Sequence, residues 1–415
     1  MVVFLEFGSS LIRTEQFGLL RRNLILYERF LEMGAFETVS FVSYAIRDKE
    51  KLAALKKCEG LQNGIEVLTP PAGFDSRLGM IAYSLLAPII HRKAIRTAKV
   101  LKTQQVTGSW TALIAKLLYR KPLLFRLGYP LSIRYRVEGK RLKYCLARII
   151  EFCLARGAEH IAVSSHTMRD YYGGLTSPNK ITMLPSYVDL SAFMPIADYS
   201  PRQPILFVGR LDEVKNLESL ISACGKIDIP LHIYGGGPQE SFLRVHAQHC
   251  GAKVAFKGVV PNALLAEIHR EHSIFVLCST REGMPKALIE AMASGLICVV
   301  TRTEGGLEMI RDGETGYLIP GFSADSIELT LRKVLENIRP EVGRRASAFA
   351  RRNNSLEHVV EMELEIIETI LCAKVGFAAS PRIEDETVKY SLTSIDNHVG
   401  LKKGNRIENA RRDEC

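Results

Sequence analysis

The stretch from Ile274 to Thr301 gathers residue types suited to handling a phosphorylated sugar. An apolar run, Ile274 to Cys278, leads into the loop Ser279-Thr280-Arg281-Glu282-Gly283-Met284. Pro285 then opens a helical segment that Gly295 ends, and a second apolar run follows from Leu296 to Thr301. Proline fits a first helical turn because its missing N–H would have no partner there. The loop is therefore expected at a helix N-terminus and at the carboxyl edge of a parallel sheet, where free N–H groups and the macrodipole favour a phosphate. Two acids, Glu282 and Glu290, stand eight residues apart across that helix start. Carboxylates repel phosphate but accept hydrogen bonds from sugar hydroxyls. A helical side chain leans back toward the N-terminus, so Glu290 is placed to reach a ribose while Glu282 reaches the transferred sugar. The competing reading pairs Glu290 with Lys286 at i, i+4 on a solvated face, worth about 0.3 to 0.5 kcal/mol.

A second constellation follows the apolar run Ile205 to Val208: Gly209-Arg210-Leu211-Asp212-Glu213-Val214-Lys215-Asn216. Arg210 can grip a diphosphate with its planar fork and Lys215 can act on it as a point charge. Fixed cations there would stabilise a leaving nucleoside diphosphate; taken alone, the same residues also read as ordinary surface charges. A divalent cation that bridges a diphosphate is hard and needs oxygen ligands, which an Asp-x-Asp motif can supply. No Asp-x-Asp occurs in this sequence. No metal site and no cofactor are therefore expected, with Arg210, Lys215 and the helix end supplying the charge.

These loops need strands and helices to hold them. Val2 to Phe7, Thr38 to Ser43, a strand through Val106, Leu123 to Phe125 and His160 to Val163 read as strands; Glu15 to Met33 reads as a helix ending at Gly34. The alternation predicts a parallel sheet with helices on its faces. A polar, proline-rich stretch around Pro195 to Pro204 reads as a linker. A fresh alternation then starts, with strands at Ile205 to Val208, Leu231 to Tyr234, Val254 to Phe256, Ile274 to Cys278 and Leu296 to Thr301. The expected fold class is α/β with two doubly wound domains: residues 1–195, residues 196–354, a helix at 355–373 and a polar, disordered tail at 374–415.

The ordered set Phe207-Val208-Gly209-Arg210-Leu211 with Lys215-Asn216, Tyr234-Gly235-Gly236-Gly237-Pro238, and Glu282-Gly283-Met284-Pro285 through Glu290 to Gly295 resembles the retaining GT-B glycosyltransferases of the E-x7-E group, glycosyltransferase family 4. Further similar segments are Leu184 to Asp189, Thr303 to Gly306 with Glu308, and Gly313 to Pro320, so the resemblance spans about residues 160–372. It implies two Rossmann-like domains facing across a cleft and a metal-independent hexosyl transfer from a nucleotide diphosphate sugar. By resemblance, Arg210 and Lys215 take the diphosphate and Glu282 sits at the transferred sugar. Gly283 and Met284 supply backbone contacts, Glu290 takes the ribose, and the helix at Ser355 to Leu371 returns to brace the first domain. The glycine run 235–237 reads first as a tight turn and second as a nucleotide contact. The first domain departs from the family pattern: Phe7-Gly8-Ser9-Ser10 carries a single glycine and Leu124-Phe125-Arg126-Leu127-Gly128 has no histidine. Gly8 and Arg126 are kept as cleft residues, Arg126 reaching toward the donor or serving the surface. A nucleotide-sugar epimerase, a phosphorylase or a non-catalytic subunit on the same frame are the alternatives.

Charge and cysteine usage bear on partners. The chain of 415 residues carries a net charge of +10, yet between Arg92 and Arg156 sixteen Lys or Arg face only Glu138 and Glu151. The rest of the chain is net acidic. Interleaved with Leu117, Leu118, Tyr135, Ile149 and Phe152, this basic segment reads as an anionic membrane surface contact, as a solvated set of helices, or, least favoured, as a nucleic-acid site. Nine cysteines without a CxxC pair suit a reducing compartment. With no apolar run near the roughly 20 residues of a spanning helix, the expected location is cytoplasmic, peripheral at the inner membrane face. The expected partners are a nucleotide sugar and a glycan or lipid-linked acceptor.

Overall fold

The computed structural model describes residues 1–16, 20–199 and 204–375. The tail expected at 374–415 lies almost wholly outside the described residues. Among them, seven parallel strands form the first sheet: β1 (Val2–Phe4), β2 (Val39–Val42), β3 (Ile65–Leu68), β4 (Leu101–Thr103), β5 (Leu123–Arg126), β6 (His160–Val163) and β7 (Ile181–Met183), in the order β3-β2-β1-β4-β5-β6-β7. Six more form the second: β8 (Ile205–Val208), β9 (Leu231–Tyr234), β10 (Val254–Gly258), β11 (Ile274–Leu277), β12 (Ile297–Thr301) and β13 (Tyr317–Ile319), in the order β10-β9-β8-β11-β12-β13. Both orders reverse direction once, at β1/β4 and at β8/β11. A crevice opens outside the carboxyl ends of the strands at such a switch point.

Alternation of side chains along a strand gives the first sheet two separate cores. Val3 points into a core shared with Tyr27 and Phe30, whereas Val2 and Phe4 point into another with Tyr83, Ala112 and Leu154. The helix Leu356–Val375 closes the first of these, contributing Leu356, Val359, Val360, Leu364, Ile367 and Ile370. This helix therefore braces the first sheet, although the chain has just left the second. Strands β8, β11 and β12 are buried on both faces, as central parallel strands covered by helices must be.

Several elements differ from the sequence expectation, each for a physical reason. The strand expected through Val106 lies at Leu101–Thr103, and Val106 falls in the loop beyond it. Lys102 disguised this strand, for it is a fully buried lysine that pairs with Glu363. Helix Glu15 to Met33 is replaced by Leu11–Gln16 and Leu20–Glu32, with Phe17 outside the described residues. Pro285 is the cap and not the first helical residue: its ψ of 119° is extended, and the helix begins at Lys286. The short strands β3, β7 and β13 carried too few alternating residues to stand out.

Candidate active site

Because β8 and β11 are hydrogen-bonded neighbours at the switch point, the loops that follow them lie side by side. The first loop is shaped by the glycines after β9. Gly209 N–H donates to Tyr234 O at 2.9 Å and Leu211 N–H to Gly236 O at 3.0 Å. A Cβ on Gly235, whose φ is +141°, would lie 1.8 Å from Gly209 O, and one on Gly237 would lie 2.3 Å from Leu211 O. The run 235–237 is thus the floor that lets the Arg210–Lys215 loop approach. That loop then makes a 3-10 turn at Glu213–Lys215 and leaves through Asn216 in the left-handed region.

The second loop is tied to the first. Thr280 N–H donates to Val214 O at 2.8 Å, and the Cys278 thiol donates to Lys215 O at 3.2 Å. Thr301, from β12, holds Ser279 O at 2.6 Å, and Gly305 N–H donates to Glu282 O at 2.9 Å. Glycine is required at 305, because a Cβ there would meet Gly283 O at 1.8 Å. These anchors bring Lys215 and Glu282 together: the ammonium pairs with Glu282 Oε1, to which Ser279 Oγ also donates at 2.8 Å. Both charged groups are mostly withdrawn from solvent, at 16% and 14% exposure. A carboxylate here can accept sugar hydroxyls while the neighbouring ammonium turns a donor toward an anion.

The other expected residues are placed as follows. Arg210 is at the loop but turned outward, 76% exposed, with Nη2 on Asp212 Oδ2 at 2.8 Å. Glu290 is buried on the helix Lys286–Ala293, so it does not stand on a solvated face. Lys286 Nζ lies 4.6 Å from the Tyr187 ring centre. Met284 is a hinge contact as well as a loop residue, its sulfur accepting from Ser186 N–H at 3.0 Å. Gly283 faces the first domain, where its Cβ position lies 3.4 Å from Gly128 O.

Residues 196–352 match the family described as "Glycosyl transferases group 1". That match covers the second domain, which is a group 1 glycosyltransferase domain. A phosphatidyl-myo-inositol mannosyltransferase of Mycolicibacterium smegmatis is 29% identical over 224 residues, 50% of this chain and 57% of the relative. A GalNAc-alpha-(1->4)-GalNAc-alpha-(1->3)-diNAcBac-PP-undecaprenol alpha-1,4-N-acetyl-D-galactosaminyltransferase of Campylobacter jejuni is 28% identical over 176 residues, 40% of this chain and 48% of the relative. The chain thus spans about half the length of the curated relatives it matches. Among solved structures, sucrose-phosphate synthase of Thermosynechococcus elongatus is similar with a TM-score of 0.72 at 16% identity, covering 90% of this chain and 99% of that one. Anabaena Alr3699/HepE in complex with UDP and glucose gives 0.69 at 15% identity, covering 89% and 99%. At such identities the likeness shows the fold, which is GT-B.

On the first-domain side the chain has a cavity of about 210 Å³ at the β1/β4 switch point, walled by Glu6, Gln104, Gln105, Arg126, Tyr187 and Lys286 among others. Glu6 and not Gly8 reaches the wall; Gly8, at φ +71°, only turns the chain after β1. Burial pushes the Glu6 carboxyl up from its ordinary range. Arg126 lines the cavity, bonds Glu363 Oε2 at 2.8 Å and donates to Pro185 O at 3.3 Å. Glu363 is shared with Lys102, whose ammonium burial pulls down to about 8. Two cations thus share one buried carboxylate. The sequence reading missed Glu363, yet a signal existed: an acid on the apolar side of a helix, between Val360 and Ile367, points inward by its spacing.

Proposed function

We propose that this chain moves a sugar from a nucleoside diphosphate sugar to a hydroxyl of a glycan or lipid-linked acceptor, with retention at the anomeric carbon and without a metal. The observation that carries the reading is the Lys215–Glu282 pair, seated where the loops after β8 and β11 meet at the switch point. Lys215, joined by Arg210 once it swings in from Asp212, neutralises the diphosphate. Glu282 accepts sugar hydroxyls, Glu290 takes the ribose, and the backbone of Gly283 and Met284 borders the sugar. The acceptor oxygen bonds to the anomeric carbon on the face from which the diphosphate oxygen departs, and that phosphate oxygen takes the acceptor's proton. The two cations stabilise the charge that develops on the leaving group, the part a divalent ion plays elsewhere.

Names of relatives support the substrate classes. One mannosyltransferase of Mycolicibacterium smegmatis is named as GDP-mannose-dependent and acting on a phosphatidylinositol monomannoside. The Campylobacter relative is named for a pyrophosphoryl-undecaprenol glycan. Free, buried Cys224, Cys278 and Cys298 suit a cytoplasmic setting. The test is a panel of nucleotide sugars screened by thermal shift, followed by transfer assays with chelator present. Expected are acceptor-dependent release of nucleoside diphosphate and a product with the donor's anomeric configuration. An inverted product, or activity abolished by chelator, refutes the reading.

A further inference from the structure

We propose that the outer face of the first domain, formed by the helices Arg77–Ile90, Ser109–Tyr119 and Arg141–Gly157, docks onto an anionic lipid bilayer. These helices, of 14, 11 and 17 residues, cover one side of the first sheet. They lie against one another: Thr111 Oγ1 donates to Ser84 O at 2.7 Å, Tyr119 to Pro88 O at 3.0 Å, and Gly157 approaches Leu113 too closely for a Cβ.

Their amphipathicity is inverted. The third helix turns Ala147, Glu151, Leu154 and Ala155 toward the sheet and leaves Leu142, Leu146, Ile149 and Phe152 outward. The first buries Tyr83, Ser84, Ala87 and Pro88 while Leu78, Ile81, Leu85 and Ile89 face out. Leu117 and Leu118 add to the same side. Among the described residues, 12 of the 22 exposed large hydrophobic side chains lie on these three helices, so the apolar surface is a patch and not a scatter. A contiguous patch of this kind marks an interaction site.

Charge selects the occupant. Between Asp75 and Glu159 the acids are Glu138 and Glu151. Glu151 is buried and bonded by Ser132 and Tyr171, and Glu138 is already held by Arg134 at 2.8 Å and Lys140 at 2.6 Å. The exposed charges beside the apolar stripes are therefore cations: Arg92, Lys93 and Arg96 after the first helix, Arg141, Lys143 and Arg156 on the third. Arg156 lies along the Phe152 ring at 4.6 Å, its stem on apolar surface and its head outward. A second copy of this chain would set like charges face to face, whereas an anionic lipid surface accepts apolar side chains and headgroup-level cations together. Among the described residues no helix is long and apolar enough to cross a membrane, so the contact is a docked one.

The full chain is tested by flotation with vesicles of phosphatidylcholine alone or mixed with phosphatidylglycerol, at low and high salt. Expected is binding to the anionic vesicles that weakens with salt and falls about tenfold or more in Leu142→Asp/Leu146→Asp and in Arg141→Glu/Lys143→Glu. Unchanged circular dichroism, thermal midpoint and nucleoside diphosphate binding in both variants show that the fold and the donor reading stand apart from this result. Absence of vesicle binding, equal binding to neutral vesicles, or variants that bind like the parent overturn the proposal. So does a dimer that Leu142→Asp/Leu146→Asp dissociates while lipid is ignored.

Discussion

Lys215→Ala and Glu282→Gln should move nucleoside diphosphate binding in opposite directions. Lys215 donates to Glu282 in the unliganded loop, so an arriving phosphate must share the ammonium with a carboxylate already there. A unit charge at about 4 Å from a phosphate oxygen is worth about 4 kcal/mol at an effective dielectric constant near 20. Sharing leaves about 2 to 3 kcal/mol of that, so Lys215→Ala should weaken UDP or GDP binding by about 30- to 150-fold. Glu282→Gln removes a negative charge about 8 Å from the phosphate, a repulsion of about 2 kcal/mol. It keeps the shape and the Ser279 contact, so binding should tighten by up to about 30-fold while turnover drops by about 100-fold or more. The double variant should recover part of the Lys215→Ala loss, with a coupling energy of about 1 to 2 kcal/mol. Isothermal titration with UDP and GDP, beside donor turnover, reads all four corners of the cycle. Strict additivity, or a Glu282→Gln protein that loses binding and turnover in equal proportion, would sink the argument, because Glu282 would then act only by shaping the loop.

Glu363→Gln should destabilise the chain by about 3 to 5 kcal/mol in urea unfolding, since it strands Lys102 and leaves Arg126 without its carboxylate. An unchanged midpoint would show that the triad contributes nothing. Gly235→Ala, at φ +141° and 1.8 Å from Gly209 O, should cost about 1 to 3 kcal/mol and weaken nucleoside diphosphate binding, because the displaced loop carries Lys215. Burial holds His269 near 3 against an ordinary 6.5, so the folded state resists a proton that the unfolded chain accepts. The stability gained is full above pH 6.5 and is lost as pH falls toward 3, at about 1.4 kcal/mol per pH unit. In His269→Gln the acid limb of a stability-versus-pH curve should flatten by about one proton, and an identical slope would refute the assignment.

The second domain was largely legible in the sequence, and the first much less so. The residues proposed for the donor come from two contiguous segments, 209–216 and 278–290, each following an apolar run whose type is plain. Neighbouring strands at the switch point do the rest. The first-domain cavity is instead assembled from Glu6, Gln104, Arg126 and Tyr187, scattered along the chain, with no local spacing to betray them. Glu363, the buried carboxylate that holds Arg126 at the wall, arrives from 237 residues beyond it. The same pairing hid β4, because a lysine in a three-residue strand reads as a surface residue until its partner is known. The inverted helices had the opposite effect: their apolar spacing signals a buried stripe, yet the inward positions hold a mixture that includes Tyr83, Ser84, Ala87, Ala147 and Glu151.

The loop that would hold the donor is also the loop that joins the halves of the molecule. Gly283 faces Gly128, and the Met284 sulfur takes the Ser186 amide, whose carbonyl in turn accepts from Asn354 at 3.0 Å. One segment further on, Glu304 accepts from Ser165 and Glu308 from the His166 amide at 2.7 Å. Burial, reinforced by Glu304, pushes the Tyr129 phenol up. A ligand that shifts Glu282 must therefore strain or relax Gly283 and Met284, and with them the contact between domains. Binding and closure then share one short stretch of backbone. Under the proposed function, such coupling would exclude water only once a donor is seated and so protect its sugar from hydrolysis.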